Sequence, residues 1–208
     1  MNHLAHFLLC PADDEARAGT LIADFSRGTD LSAFTSGVEL GIRLHRRIDA
    51  LVDASPEVNA LKPLVMGSPL RRYAGILFDV FFDYALMREW HVFHPAARSQ
   101  FNSDIYASLA RTEAQMPAQA RSVSARMRAY DALSSCATHE GCARTLARIA
   151  TRLKRPVDLA AGIDIMIRHE AQITGSFIQL FPALQAGTHA YLAGSSLTMR
   201  PLQLSVNT

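Results

Sequence analysis

The chain has 208 residues, 49% of them hydrophobic, with a mean hydropathy of +0.07 and a formal charge of +2. That length suits one domain with a sizeable core, and the apolar content excludes a disordered chain. A charge so near neutral demands no nucleic acid, and no apolar run reaches the length of a membrane span.

Residues 1–10 are apolar, with His3 and His6 among them. They lack a basic flank, and Leu9 is a poor small residue before Cys10, so no secretion or lipoprotein signal is expected. Cys10, Cys136 and Cys142 are odd in number and form no Cys-x-x-Cys, which fits a reduced cytoplasmic compartment. Asp13, Asp14 and Glu15 after Pro11 predict a helix start, with a cap and early acids facing the dipole. That helix is expected to reach about Phe25 and to stop near Gly28. Asp24 then sits at its end, against the dipole, where a metal or an arginine would compensate.

A strong helix is predicted from about Gly37 to Ala54, ended by Pro56. Its apolar stripe of Val38, Ile42 and Val52 also holds His45 and Asp49, four residues apart. The next predicted helix runs from about Leu70 to Glu89 and is apolar nearly all round, so it should be buried. Asp79 and Asp83 lie in it, again at i and i+4, on one stripe with Ile76, Leu86 and Trp90. Two buried carboxylates side by side need compensation, by a divalent metal or by arginine.

From about 96 to 155 apolar residues recur at helical spacing, as in Phe101, Ile105 and Leu109 or Leu146, Ile149 and Leu153. A last helix is expected from about Val157 to Leu180, closed by Pro182. No strand alternation occurs. The expected fold is all-α: a single domain over 1–186, a bundle of roughly seven helices, then an irregular tail over 187–208.

No phosphate-binding glycine loop, dinucleotide fingerprint, Gly-x-Ser-x-Gly or zinc cysteine cluster is present. What remains is the set His6, Asp24, His45, Asp49, Asp79 and Asp83. Mixed His and Asp ligands suit Mn²⁺, Fe²⁺ or Mg²⁺, and converging helices in a bundle can assemble such a site. Lys62 and Lys154 are the only lysines, so positive charge is almost all arginine. Arg27, Arg43, Arg46, Arg47, Arg71 and Arg72 fall in the same segments as the candidate ligands. They form either a solvated face or a basic rim for phosphate and an acidic partner.

These residues resemble the bacterial acyl carrier protein phosphodiesterase family. The likeness rests on Asn2 to His6, Gly19 to Gly28, Gly41 to Asp49, and Arg71 to Asp83 with Trp90. It loosens after about residue 90. The family is regarded as a branch of the all-α, metal-dependent HD phosphohydrolases. The resemblance implies cleavage of the phosphodiester joining 4′-phosphopantetheine to a serine of holo-acyl carrier protein, an acidic substrate, with Mn²⁺ first and Mg²⁺ or Fe²⁺ as alternatives. It implies that His6, Asp24, His45, Asp79 and Asp83 ligate or adjoin the metal. Asp49 and Arg46 then orient that shell or hold phosphate, and Asp49 or Asp83, or else His45, takes the water proton. Leu8 and Tyr84 depart from the pattern, standing where the family often has histidine. Two other readings fit the residues: an HD-like phosphohydrolase of a nucleotide or small phosphoester, and a helical module that binds an acidic partner without metal.

Overall fold

The helix that follows Asp13 sets the frame of the site. In the computed structural model, which describes residues 3–198, α1 spans His3–Leu9 and α2 spans Asp14–Ile22. The Asp13 side chain accepts a hydrogen bond from the Ala16 amide at 2.8 Å, and Asp14 and Glu15 occupy the first turn. A 3₁₀ turn, Ala23–Phe25, carries the chain on to Gly28. The backbone of Gly28 is left-handed, φ +77°, a conformation natural to glycine at a helix exit.

Helix α3, Ser36–Ala54, is capped by Thr35, whose hydroxyl accepts from the Val38 amide. It ends where Ser55 caps α4, Pro56–Leu61, with proline at the tolerated first position. Helices α2 and α3 cross with their backbones touching. A Cβ on Gly19 would lie 2.1 Å from the Val38 carbonyl oxygen, and one on Gly41 would lie 2.0 Å from that of Ala16. Only glycine allows this approach. The crossing brings the Thr20 carbonyl against His45, one turn after Gly41.

After α5, Pro63–Met66, and a 3₁₀ turn at Arg71–Tyr73 comes α6, Ala74–Arg88. It is buried as expected, through Leu77, Phe78, Val80, Phe81, Phe82, Ala85 and Leu86. Each of the Leu, Val and Phe side chains contributes about 1.5–3 kcal/mol by leaving water. The remaining helices are α7, Trp90–Phe93, α8, Arg98–Arg111, α9, Ala118–Ala129, α10, His139–Ala150, α11, Ile163–Arg168, and α12, Glu170–Thr198. Phe177 and Phe181 of α12 join Phe82 and Phe93 in one aromatic cluster, with ring centroids 4.7–5.7 Å apart. Helix α8 is tied to α2 by Asp14, which accepts from Ser108 at 2.6 Å and from Arg111 at 2.5 and 2.7 Å.

The all-α expectation holds: no strand occurs among the described residues. The described residues form twelve α-helical segments rather than roughly seven. Seven of these segments have nine residues or more. The others are short turns of helix that periodicity does not register.

The end of the chain also differs from expectation. Pro182 does not stop the last helix but lies inside α12. A proline removes one backbone donor, and packing beyond it keeps the helix going. Leu184 and Thr188 are buried, and Gly187 lies against Leu51 of α3. The stretch from Gly187 to Thr198, expected to be irregular, is therefore helical, while residues 199–208 of the expected tail lie outside the described residues.

Candidate metal centre

Three helices meet at two stacked imidazoles. His6 comes from α1 and is fully buried; His45 comes from α3 and is nearly so. Their ring centroids are 3.9 Å apart and the planes are 5° from parallel. Asp49, one turn after His45, reaches both rings. Its Oδ1 is 3.1 Å from His6 Nε2 and its Oδ2 is 3.3 Å from His45 Nε2. The His45 Nδ1 lies 2.9 Å from the Thr20 carbonyl oxygen of α2. A carbonyl only accepts, so Nδ1 carries a proton and Nε2 is the nitrogen turned to the carboxylates.

His45 Nε2 faces oxygen on two sides, Asp49 at 3.3 Å and Asp24 Oδ1 at 3.6 Å. Positive charge is needed between them, supplied either by a proton on Nε2 or by a cation in its place. Burial pushes the His6 imidazole down to about 3, so that ring is neutral at ordinary pH. Burial alone would raise the Asp49 carboxyl, but hydrogen bonds from His45 and His6 outweigh it and hold the group well below the usual carboxylate range. Two imidazoles and one carboxylate thus offer ligand atoms that all lie within 4.8 Å of one another. This donor set fits a borderline divalent cation. The Thr20 carbonyl holds the outer nitrogen of His45 as an orienting partner does at a metal site.

Around the cluster lie two cavities that share Asp24 and His45. One, of about 320 Å³, is lined by these two with His3, Ile76, Asp79, Val80 and Ile149. The other, of about 590 Å³, adds Asp49, Arg46, Arg27, Ala23 and Gly28. The Arg46 Nη2 donates to the Ser26 carbonyl at 2.8 Å and to its hydroxyl at 3.0 Å, which fixes the guanidinium beside the carboxylates. A polyanionic group entering here meets a cation site on one wall and a held guanidinium on another.

The residues expected to act together are thus divided. His6, His45 and Asp49 form the cluster, Asp24 adjoins it, and Asp79 faces the smaller cavity. Asp83 does not join them. It is 3% exposed and lines a third cavity, of about 360 Å³, bounded by α9 and α10. Among the expected basic residues, Arg27 and Arg46 line the site. Arg43 pairs with Glu39 on α3, and Arg47, Arg71 and Arg72 are exposed and line none of these three cavities.

His3 is the residue that sequence reasoning missed. Its Nδ1 is 3.8 Å from Asp24 Oδ2, and its ring borders two of the cavities. The signal was its i,i+3 spacing to His6 on one helix. The departures at Leu8 and Tyr84 lie elsewhere. Leu8 packs against the core. The Tyr84 hydroxyl donates to Glu170 at 3.0 Å and accepts from Arg88 at 3.1 Å, and Glu170 also contacts His139 at 2.9 Å. Tyr84 is therefore part of a polar link between α6, α10 and α12.

A family profile described as acyl carrier protein phosphodiesterase matches residues 1–184. A protein of Serratia proteamaculans named acyl carrier protein phosphodiesterase is 30% identical over 189 residues, covering 88% of this chain and 95% of its own length. One of the same name from Pectobacterium atrosepticum is 29% identical over 185 residues, with the same coverage. The Escherichia coli protein of that name is 41% identical over 95 residues, 46% of this chain and 49% of its own. No solved structure matches the chain. No helix among the described residues is long and apolar enough to cross a membrane.

Proposed function

Since the chain belongs to the acyl carrier protein phosphodiesterase family, we propose that it hydrolyses the phosphodiester between 4′-phosphopantetheine and serine of holo-acyl carrier protein. The products are the apo-protein and free 4′-phosphopantetheine. The observation that carries the reading is the His6–His45–Asp49 cluster, whose donors fit a divalent cation and which opens on a cavity holding Arg46. A site for positive charge next to a fixed guanidinium suits a phosphodiester.

His6, His45 and Asp49 would hold a divalent cation, with Asp24 beside them. When bound, Mn²⁺, or Mg²⁺ or Fe²⁺ as alternatives, would supply Lewis acidity at the phosphoryl group. Arg46, held by Ser26, and Arg27 face the phosphoryl oxygens and stabilise the charge that grows there. Water bonds to phosphorus as the bond to the serine oxygen breaks. Asp79, on the wall of the smaller cavity, accepts one water proton on its carboxylate, and that proton leaves on the serine hydroxyl. Asp83 lies on another wall and is not used as the base. The all-helical architecture and the inward His/Asp cluster are the features that support kinship with HD-type phosphohydrolases.

The test is mass spectrometry of holo-acyl carrier protein after incubation with the enzyme and Mn²⁺, Mg²⁺ or Fe²⁺. The expected outcome is loss of one phosphopantetheinyl group with at least one of them. An unchanged holo mass with all three overturns the assignment.

A further inference from the structure

The cavity that holds Asp83 has no role in the chemistry above, yet it adjoins the smaller cavity on which His45 and Asp24 open. It shares His3 and Ile149 with the smaller cavity, so the two meet. Asp79 marks one and Asp83 the other, four residues along α6, a spacing of about 6 Å. The volume, about 360 Å³, is in the range of small-molecule sites. Its walls are mixed. Val123, Met127, Leu133 and Ile149 are apolar, while Asp83, Ser135 and Thr145 bring acceptors and hydroxyl donors. Arg126, Arg148 and Arg152 are exposed at its edge, where long stems can close a wall while the charges stay in water.

The geometry points to this cavity as the binding site for the pantetheine arm of the substrate. The inference rests on the proposed phosphodiesterase activity, which puts the phosphate at the His/Asp cluster. The arm leaves the phosphate as an uncharged chain that carries gem-dimethyl, hydroxyl, amide and thiol groups. A cavity that meets the smaller one, one helical turn along α6 from Asp79, with apolar walls and scattered hydroxyl and carboxylate groups, matches that chemistry. The gem-dimethyl and methylene groups meet Val123, Met127 and Leu133. Amide N–H groups donate to Asp83, and amide carbonyls accept from Ser135 or Thr145. Asp83 thereby acquires a use in a different cavity from the one Asp79 lines: it is a specificity residue for the arm.

The test uses free pantetheine, which lacks the phosphate, added to the full chain with labelled methyl groups. Shifts are expected at Met127, Leu133 and Ile149. Val123→Trp and Ala132→Trp, which fill the cavity, should weaken binding at least about tenfold. Unchanged melting temperature and helical circular dichroism identify the variant to be read. The same preparations are assayed on holo-acyl carrier protein. Pantetheine shifts in the cavity support the inference whether or not turnover occurs, and their presence without turnover removes only the activity assignment. Turnover with no shifts there, or with a KM unchanged in both folded variants, overturns the inference and leaves the activity standing. Absence of both shifts and turnover overturns the two together.

Discussion

Two helices of this molecule carry the same device with different results. On α3, His45 and Asp49 are four residues apart and both enter one cluster. On α6, Asp79 and Asp83 have the same spacing, yet each borders a different cavity. The difference lies in what surrounds each helix. The site-bearing face of α3 packs on α2, with α1 beside it, so two successive turns meet the same neighbours. Helix α6 is buried nearly all round, so its successive turns open on cavities with different walls: the Asp24 turn beside Asp79, and α9 with most of the α10 lining beside Asp83, His3 and Ile149 being common to both. Spacing places side chains on a shared face of their own helix; the packing partners decide whether that face is a single site.

The largest effect should come from breaking the α3 pair. His45→Ala removes a proposed metal ligand and the imidazole that bonds the Thr20 carbonyl. Turnover of holo-acyl carrier protein should fall by more than ~100-fold, beyond the about 10–100-fold typical of a group that only orients a ligand. Helical circular dichroism should persist. Next comes the crossing that presents this pair. In Gly41→Ala the new Cβ would meet the Ala16 carbonyl at 2.0 Å. Overpacking against backbone should cost about 2–3 kcal/mol in urea unfolding, and Gly19→Ala should behave alike.

The α6 pair should then separate by kinetics. Asp79→Asn should lower kcat by ~100-fold with metal content unchanged. Asp83→Asn should act mainly on KM and leave kcat within a few-fold. Equal effects on kcat from both would rejoin the two carboxylates in one site. The smallest effect concerns Asp14, which lies far from the cluster in function. Hydrogen bonds from Arg111 and Ser108 hold its carboxyl down to about 2. A group lowered in the folded state stabilises above its unfolded value near 4, and that contribution is lost as pH falls through about 2. Arg111→Ala should therefore bring acid unfolding on at a higher pH, with less than about 1 kcal/mol change at pH 7 because the pair is exposed.

These contrasts follow the line between what the sequence made legible and what it did not. Asp13 as a cap, Pro56 as a stop and the apolar ring of α6 are local signals, and the corresponding helices stand close to their expected places. His6, His45 and Asp49 were legible because inward polar groups on apolar stripes are costly and need a purpose. Asp83 satisfied the same criterion, but which helix faces it is a tertiary fact that no spacing carries. His3 was hidden as one half of an i,i+3 pair on a helix of seven residues, too short for periodicity to register. Pro182 read as a terminator because local chemistry says so, while Leu184, Gly187 and Thr188 hold the helix together through contacts distant in the chain.

The central claim is that His6, His45 and Asp49 hold one divalent cation. Crystals grown with Mn²⁺ and measured at the manganese absorption edge test it most directly. The account predicts a single strong anomalous peak bounded by Nε2 of His6, Nε2 of His45 and the Asp49 carboxylate, absent in His45→Ala. A peak against Asp83 instead, or one that survives in His45→Ala, would contradict it.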